Sequence, residues 1–206
     1  GDFNTVVGHQ ALTAQNHTDG TVGNTAIGYQ AGVALASANN IQNTLIGYKA
    51  AATATALGKS VIIGYEAGAG ANMNSADTDG TVAVGHSALK ALVDGLRNTV
   101  VGFESGLNAT TADDNVAIGY ESMGGNVGTA LTGNDNTVLG SYAGRDMQGA
   151  AEGNTLVGKD SGIALTTGNF NVLIGRDAGD ALVDETHNTA IGTDALSGSS
   201  LVDQTV

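Results

Sequence analysis

The chain has 206 residues, with 32 glycines and no proline, cysteine or tryptophan, and only 13% of it is charged, against roughly 25% in an ordinary globular protein. A formal net charge of −13 with seven Lys and Arg in all excludes a nucleic-acid surface, because phosphate contacts need clustered cations. The lack of cysteine excludes disulfides and thiolate metal sites, and there is no apolar run of about 18 residues to insert into a membrane.

From the N-terminus onward one phrase returns. It reads "NTVVGHQAL" at Asn4, "NTAIGYQAG" at Asn24, "NTLIGYKAA" at Asn43 and "SVIIGYEAG" at Ser60. It continues as "TVAVGHSAL" at Thr81, "NTVVGFESG" at Asn98, "NVAIGYESM" at Asn115 and "NTVLGSYAG" at Asn136. It ends as "NTLVGKDSG" at Asn154, "NVLIGRDAG" at Asn171 and "NTAIGTDAL" at Asn188. The copies align on Gly8, Gly28, Gly47, Gly64, Gly85, Gly102, Gly119, Gly140, Gly158, Gly175 and Gly192. The spacings run 20, 19, 17, 21, 17, 17, 21, 18, 17 and 17, so the unit is 17 residues with insertions of up to four.

Each column of the repeat has a physical reading. Thr or Val three before the glycine and a large aliphatic one before it share one face of a strand. The residue between them is always Val, Ala, Leu or Ile, so the opposite face is apolar too and the strand is expected to be buried on both faces. The glycine marks a place where a Cβ would crowd a turn or a neighbouring backbone. Ala or Ser three residues later implies close packing. Asn stands four before the glycine in nine of eleven copies, Ser60 and Thr81 replacing it in the others. Such a column fits either simple turn propensity or an amide ladder along a stacking axis. Leu35, Leu92, Leu165 and Leu182 lie seven after their glycines and predict a short second strand or a tight apolar turn. The insertions, such as Asn16–Thr21 and Asn72–Thr81, are polar and turn-rich.

A 17-residue unit cannot bury enough apolar surface to fold alone, so the units must stack. The expected fold is all-β: a parallel β-solenoid (β-roll or β-helix) of about eleven coils of 17–21 residues, forming a single repeat domain over residues 1–206. So thin a coil, two short strands and two turns, leaves one apolar strand face uncovered. Self-association supplies the cover, with a homotrimer as the expected arrangement. Neither end carries an atypical capping unit, and joining the last residues to the first gives a spacing of 22. Continuation into a longer fibre, end-to-end stacking, or ends falling at arbitrary points of the repeat all fit this.

"NTAIGYQAG", "NVAIGYESM" and "NTVVGFESG" resemble the repeats of bacteriophage tail-fibre and tail-spike shafts. They are also similar to the "SVAIG"-type repeats in the heads of trimeric autotransporter adhesins, whose coils form a left-handed parallel β-roll packed as three chains. The resemblance spans Asn4 to Leu196. It implies a non-enzymatic structural shaft in an extracellular or virion fibre. The alternative is an adhesin or receptor-binding module that engages cell-surface glycan or protein through the rod side or the inserted loops.

Little in the chain reads as catalytic chemistry. The residue after the glycine is planar in the first seven copies: His9, Tyr29, Tyr48, Tyr65, His86, Phe103 and Tyr120. This stripe either packs between subunits or stacks on sugar rings. From copy eight the column reads Ser141, Lys159, Arg176 and Thr193, and the next column turns to Asp160, Asp177 and Asp194, a charged edge of basic–acid pairs. Acid clusters at Asp77 and Asp79, Asp113 and Asp114, and Asp184 and Glu185 have calcium-type oxygens but lack a calcium-loop pattern and read as solvated turns. No catalytic, cofactor or metal residue is assigned.

Overall fold

A computed structural model describes residues 3–15, 23–36, 41–70, 79–124 and 128–198. The insertions at 16–22 and 71–78, and the Ser200–Thr205 echo of the repeat, lie outside the described residues. The fold is an all-β, parallel β-solenoid. Its strands are β1 (Thr5–Val7), β2 (Thr25–Ile27), β3 (Thr44–Ile46), β4 (Val61–Ile63), β5 (Val82–Val84), β6 (Thr99–Val101), β7 (Val116–Ile118), β8 (Thr137–Leu139), β9 (Thr155–Val157), β10 (Val172–Ile174) and β11 (Thr189–Ile191). They form one eleven-stranded sheet in strict sequence order. Every pairing is parallel and in register, as in Thr99↔Val116, Val100↔Ala117 and Val101↔Ile118.

The strand alternation settles which face lies inside. The middle residue of each strand points into the coil, and Ala26, Leu45, Ile62, Val100 and Leu173 are fully buried. The residues on either side of it point outward and are only half-buried within one chain. The interior is completed by the small Ala or Ser column (Ala31, Ala67, Ser105, Ala178) and by Leu35, Leu92, Leu165 and Leu182, all buried. Burial on both strand faces is therefore not reached by a single chain.

The asparagine column is a buried ladder. Asn136 Oδ1 accepts the backbone N–H of Asn154 at 3.0 Å and the Asn154 side-chain amide at 3.1 Å. Asn136 Nδ2 donates to Asn115 Oδ1 at 2.9 Å and to the Ala151 carbonyl at 2.8 Å. The same pattern links Asn154 to Asn171 and Asn171 to Asn188. Where Ser60 replaces Asn, its hydroxyl oxygen still accepts the Thr81 N–H at 3.2 Å. These side chains are buried, and burying an amide is tolerated only because each hydrogen bond is made.

The glycine column is forced twice over. From Gly8 to Gly192 these residues have φ between +129° and +146°, a region open to glycine alone. At ten of the eleven, a Cβ would also overlap the carbonyl of the next glycine in the stack; at Gly102 it would lie 2.7 Å from the Gly119 carbonyl carbon.

Among the described residues no second strand forms in the coil; the segment after each glycine is a run of tight turns. The reason is backbone conformation. The residue two after the glycine is left-handed in all eleven copies, from Gln10 (φ 58°) to Asp194 (φ 58°), and so is the residue four after it. That alternation cannot extend into a strand. The turns still bond axially, with Ala51 N–H to the Ala67 carbonyl at 2.9 Å and Leu89 N–H to the Ser105 carbonyl at 3.0 Å.

Gly102→Ala combines backbone strain with a main-chain overlap and is expected to cost about 3 kcal/mol or more. Gly192→Ala, where a Cβ meets nothing within 4 Å, carries only the strain of about 1–3 kcal/mol. Urea midpoints of the two variants measure the difference.

Candidate functional site

In-register stacking puts like residues above one another at the strand repeat of about 4.8 Å. The column after the glycine therefore becomes a ladder of rings. His9 lies on Tyr29 at 5.6 Å, Tyr29 on Tyr48 at 5.2 Å and Tyr48 on Tyr65 at 4.9 Å. Tyr65 lies on His86 at 5.0 Å, His86 on Phe103 at 5.0 Å and Phe103 on Tyr120 at 5.1 Å. Ring planes differ by 6° to 17° along this run. All seven planar residues anticipated from the sequence are thus brought into one file.

The geometry decides what the file presents outward. Each interior ring covers the face of the next, so faces are spent on intrachain stacking, worth roughly 0.5–1.5 kcal/mol per pair. The ring edges stay accessible: Tyr65 is 48% and Tyr120 43% exposed. A pyranose stacks on a ring face, and within the ladder those faces are already taken.

Tyr142, one position further along its repeat, was not anticipated. It meets Tyr120 edge-on at 5.2 Å and 75° and ends the ladder. The Arg145 guanidinium lies 5.9 Å and the Lys159 ammonium 6.0 Å from its ring centroid, within cation–π range. Beyond it comes the charged edge, in which Lys159 pairs with Asp160, and Arg176 with Asp177 at 3.3 Å and Asp194 at 3.8 Å. These are exposed pairs worth at most about 1 kcal/mol each.

Of the acid clusters, Asp77 lies outside the described residues, Asp79 pairs with Lys59 at 3.6 Å, and Asp113, Asp114 and Glu185 bond the backbone or a cation. Asp113 Oδ1 accepts the Leu96 N–H at 2.7 Å, and Asp114 takes a bidentate grip from Arg97 at 2.6 Å. That hydrogen bond holds the Asp114 carboxyl below the usual range and pushes the Arg97 guanidinium up. Glu185 Oε2 accepts the Val183 N–H at 2.6 Å. Among the described residues no three His, Asp or Glu side chains converge as a metal set, and no helix is long and apolar enough to cross a membrane. The loop residues Asn16–Thr21 and most of Asn72–Thr81 lie outside the described residues.

The Tyr120 phenol is pushed up to about 12, first by its hydrogen bond to Glu121, then by desolvation and the Glu121 charge. No family model, curated protein or solved structure matches this chain.

The protonated phenol is the form that bonds Glu121. Its contribution to stability is present below the ordinary tyrosine value of about 10 and is lost as pH rises through about 12. Absorbance titration of the phenolate band, with Tyr120→Phe as the difference reference, is expected to place the Tyr120 transition at about 12. Glu121→Gln should lower it.

Proposed function

We propose that this chain is a stiff, non-enzymatic structural rod, the shaft of an extracellular or virion fibre, assembled from copies of itself with three chains around a common axis. The observation that carries the reading is the outer face of the sheet. Its two columns, Thr or Val and then Val, Ile or Leu, contain no charged residue in eleven successive strands, although the chain holds 27 charged residues elsewhere. Side chains on this face stay exposed in one chain, Ile118 by 42% and Val7 by 57%. A continuous apolar strip of this kind marks an interaction surface.

The chemistry of the strip repeats with every strand, so the partner that matches it over its whole length has the same axial repeat. A second and third copy of this chain meet that condition. The resemblance to fibre-shaft repeats supports the same reading. Seven cations against 20 acids favour a surface that stays solvated along its outer side.

Light scattering after size exclusion is expected to give three times the 20.3 kDa chain mass. Micrographs should show a narrow rod with threefold symmetry. Ile46→Lys combined with Ile118→Lys, both on the outer face, should yield folded monomers. A wild-type monomer that captures a glycan on an array would favour the adhesin reading instead.

A further inference from the structure

Beyond the shaft reading, and independent of it, the structure assigns a small-ligand site to the side of the rod. We propose that a groove of about 360 Å³ between Lys49 and Lys90 binds a carboxylated sugar residue within an otherwise neutral glycan.

The groove arises from the repeat itself. Five residues after the glycine, successive windings carry Val33, Ala52, Ala69 and Lys90. All four line the groove, and the two alanines in the middle of the column leave it room between the longer Val33 and Lys90 side chains. Gln30, Lys49 and Glu66 supply a polar wall and Thr53 a hydroxyl. The stem of Lys90 crosses the backbone of Gly70, where an added Cβ would come within 3.0 Å of it. Its ammonium reaches Glu66 at 2.7 Å, and that bond holds the Glu66 carboxyl below its usual range. The volume falls within the span of small-molecule sites, about 300–1,000 Å³.

Lys49 is the telling residue. The chain has seven Lys and Arg, and six of them pair with a carboxylate: Lys59, Lys90, Arg97, Arg145, Lys159 and Arg176. Among the described residues Lys49 alone makes no direct ion pair; the nearest effect of its charge is on Glu66 across the groove, whose carboxyl it helps Lys90 to hold down. Lys49 lines the groove, with its ammonium 5.4 Å from the Tyr48 ring centroid. In a chain of net charge −13, a groove lined by two lysines and a single carboxylate, Glu66, keeps one positive charge in excess and invites one anionic group. A dense polyanion would be repelled by the rest of the rod.

The groove's own main chain argues against an extended peptide. The N–H groups of Lys49, Ala51, Glu66, Gly68 and Gly70 donate to Tyr29, Ala67, Tyr48, Ala88 and Lys90. A peptide strand would find none of these donors free for pairing. Recognition falls to side chains: the Lys49 ammonium for a carboxylate, and oxygens of Gln30, Thr53 and Glu66 that accept from sugar hydroxyls. Gln30 Nε2 already donates to Gln10, and the Thr53 hydroxyl to the Ala69 carbonyl.

The test is a backbone-amide NMR titration of the full chain with an aldobiouronic acid, glucuronic acid joined to a neutral hexose. Saturable shifts are expected in the amides of residues 49–53 and 66–70. Lys49→Met, which keeps the stem, should weaken binding about tenfold with an unchanged melting curve, while Lys49→Arg should retain it. No shift, equal binding by Lys49→Met, equal binding of a neutral disaccharide, or preference for a Gly-Glu-Gly peptide would overturn the proposal. A chain that fails to bind yet still forms the trimer would sink the groove and leave the shaft standing.

Discussion

A buried amide must find partners, and in this molecule only the winding next door provides them. Asn115, Asn136, Asn154 and Asn171 sit fully buried, and each offers its side-chain oxygen to the following winding while its amide reaches back to the preceding one. The main-chain N–H of the same residues joins in, so one column satisfies side chain and backbone together. Removing one member strands polar groups on both sides of it. That mutual need lets a unit of 17 residues, unable to fold alone, be stable in a row.

Other features follow from this stacking. Glycines that close on one another fix how near successive windings lie, and that spacing becomes the distance between rings in the ladder. Local preference gives way where stacking demands it. Leu12, Leu89 and Met123 adopt left-handed backbone, a conformation costing such residues about 1–2 kcal/mol, and each buries its side chain in the core. Burial of a large apolar side chain, worth about 1.5–3 kcal/mol, offsets that cost.

The period, the glycine file and the two strand faces were legible because each repeats eleven times in one alignment. The asparagine column was legible only as a choice, since turn propensity writes the same letters as a ladder. What one winding does locally was less visible. Two residues after the glycine the backbone is left-handed in every copy, yet glycine never appears there; Gln30, Lys49, Glu66 and Tyr142 do. No propensity points to that conformation, because neighbours above and below impose it. The stripe from His9 to Tyr120 was visible as a column, but its rings covering one another depends on the axial spacing. Tyr142 escaped because it stands one column over. The groove at Lys49 depends on two small residues falling on successive windings, Ala52 and Ala69, a relation across the stack that a reading along the chain passes over.

A solenoid of this construction puts its polar obligations inside and leaves one long apolar face, one ring edge and one charged edge outside. All three lose their alignment if the windings slip. Urea unfolding of Asn136→Ala beside Asn136→Ser measures directly whether the asparagine file holds them. Loss of the bonds to Asn115, Asn154 and Ala151 predicts a drop of roughly 2–4 kcal/mol for alanine. Serine, which already serves at Ser60, should cost clearly less. An alanine variant within about 0.5 kcal/mol of the wild type would contradict the claim that these windings stand only by their neighbours.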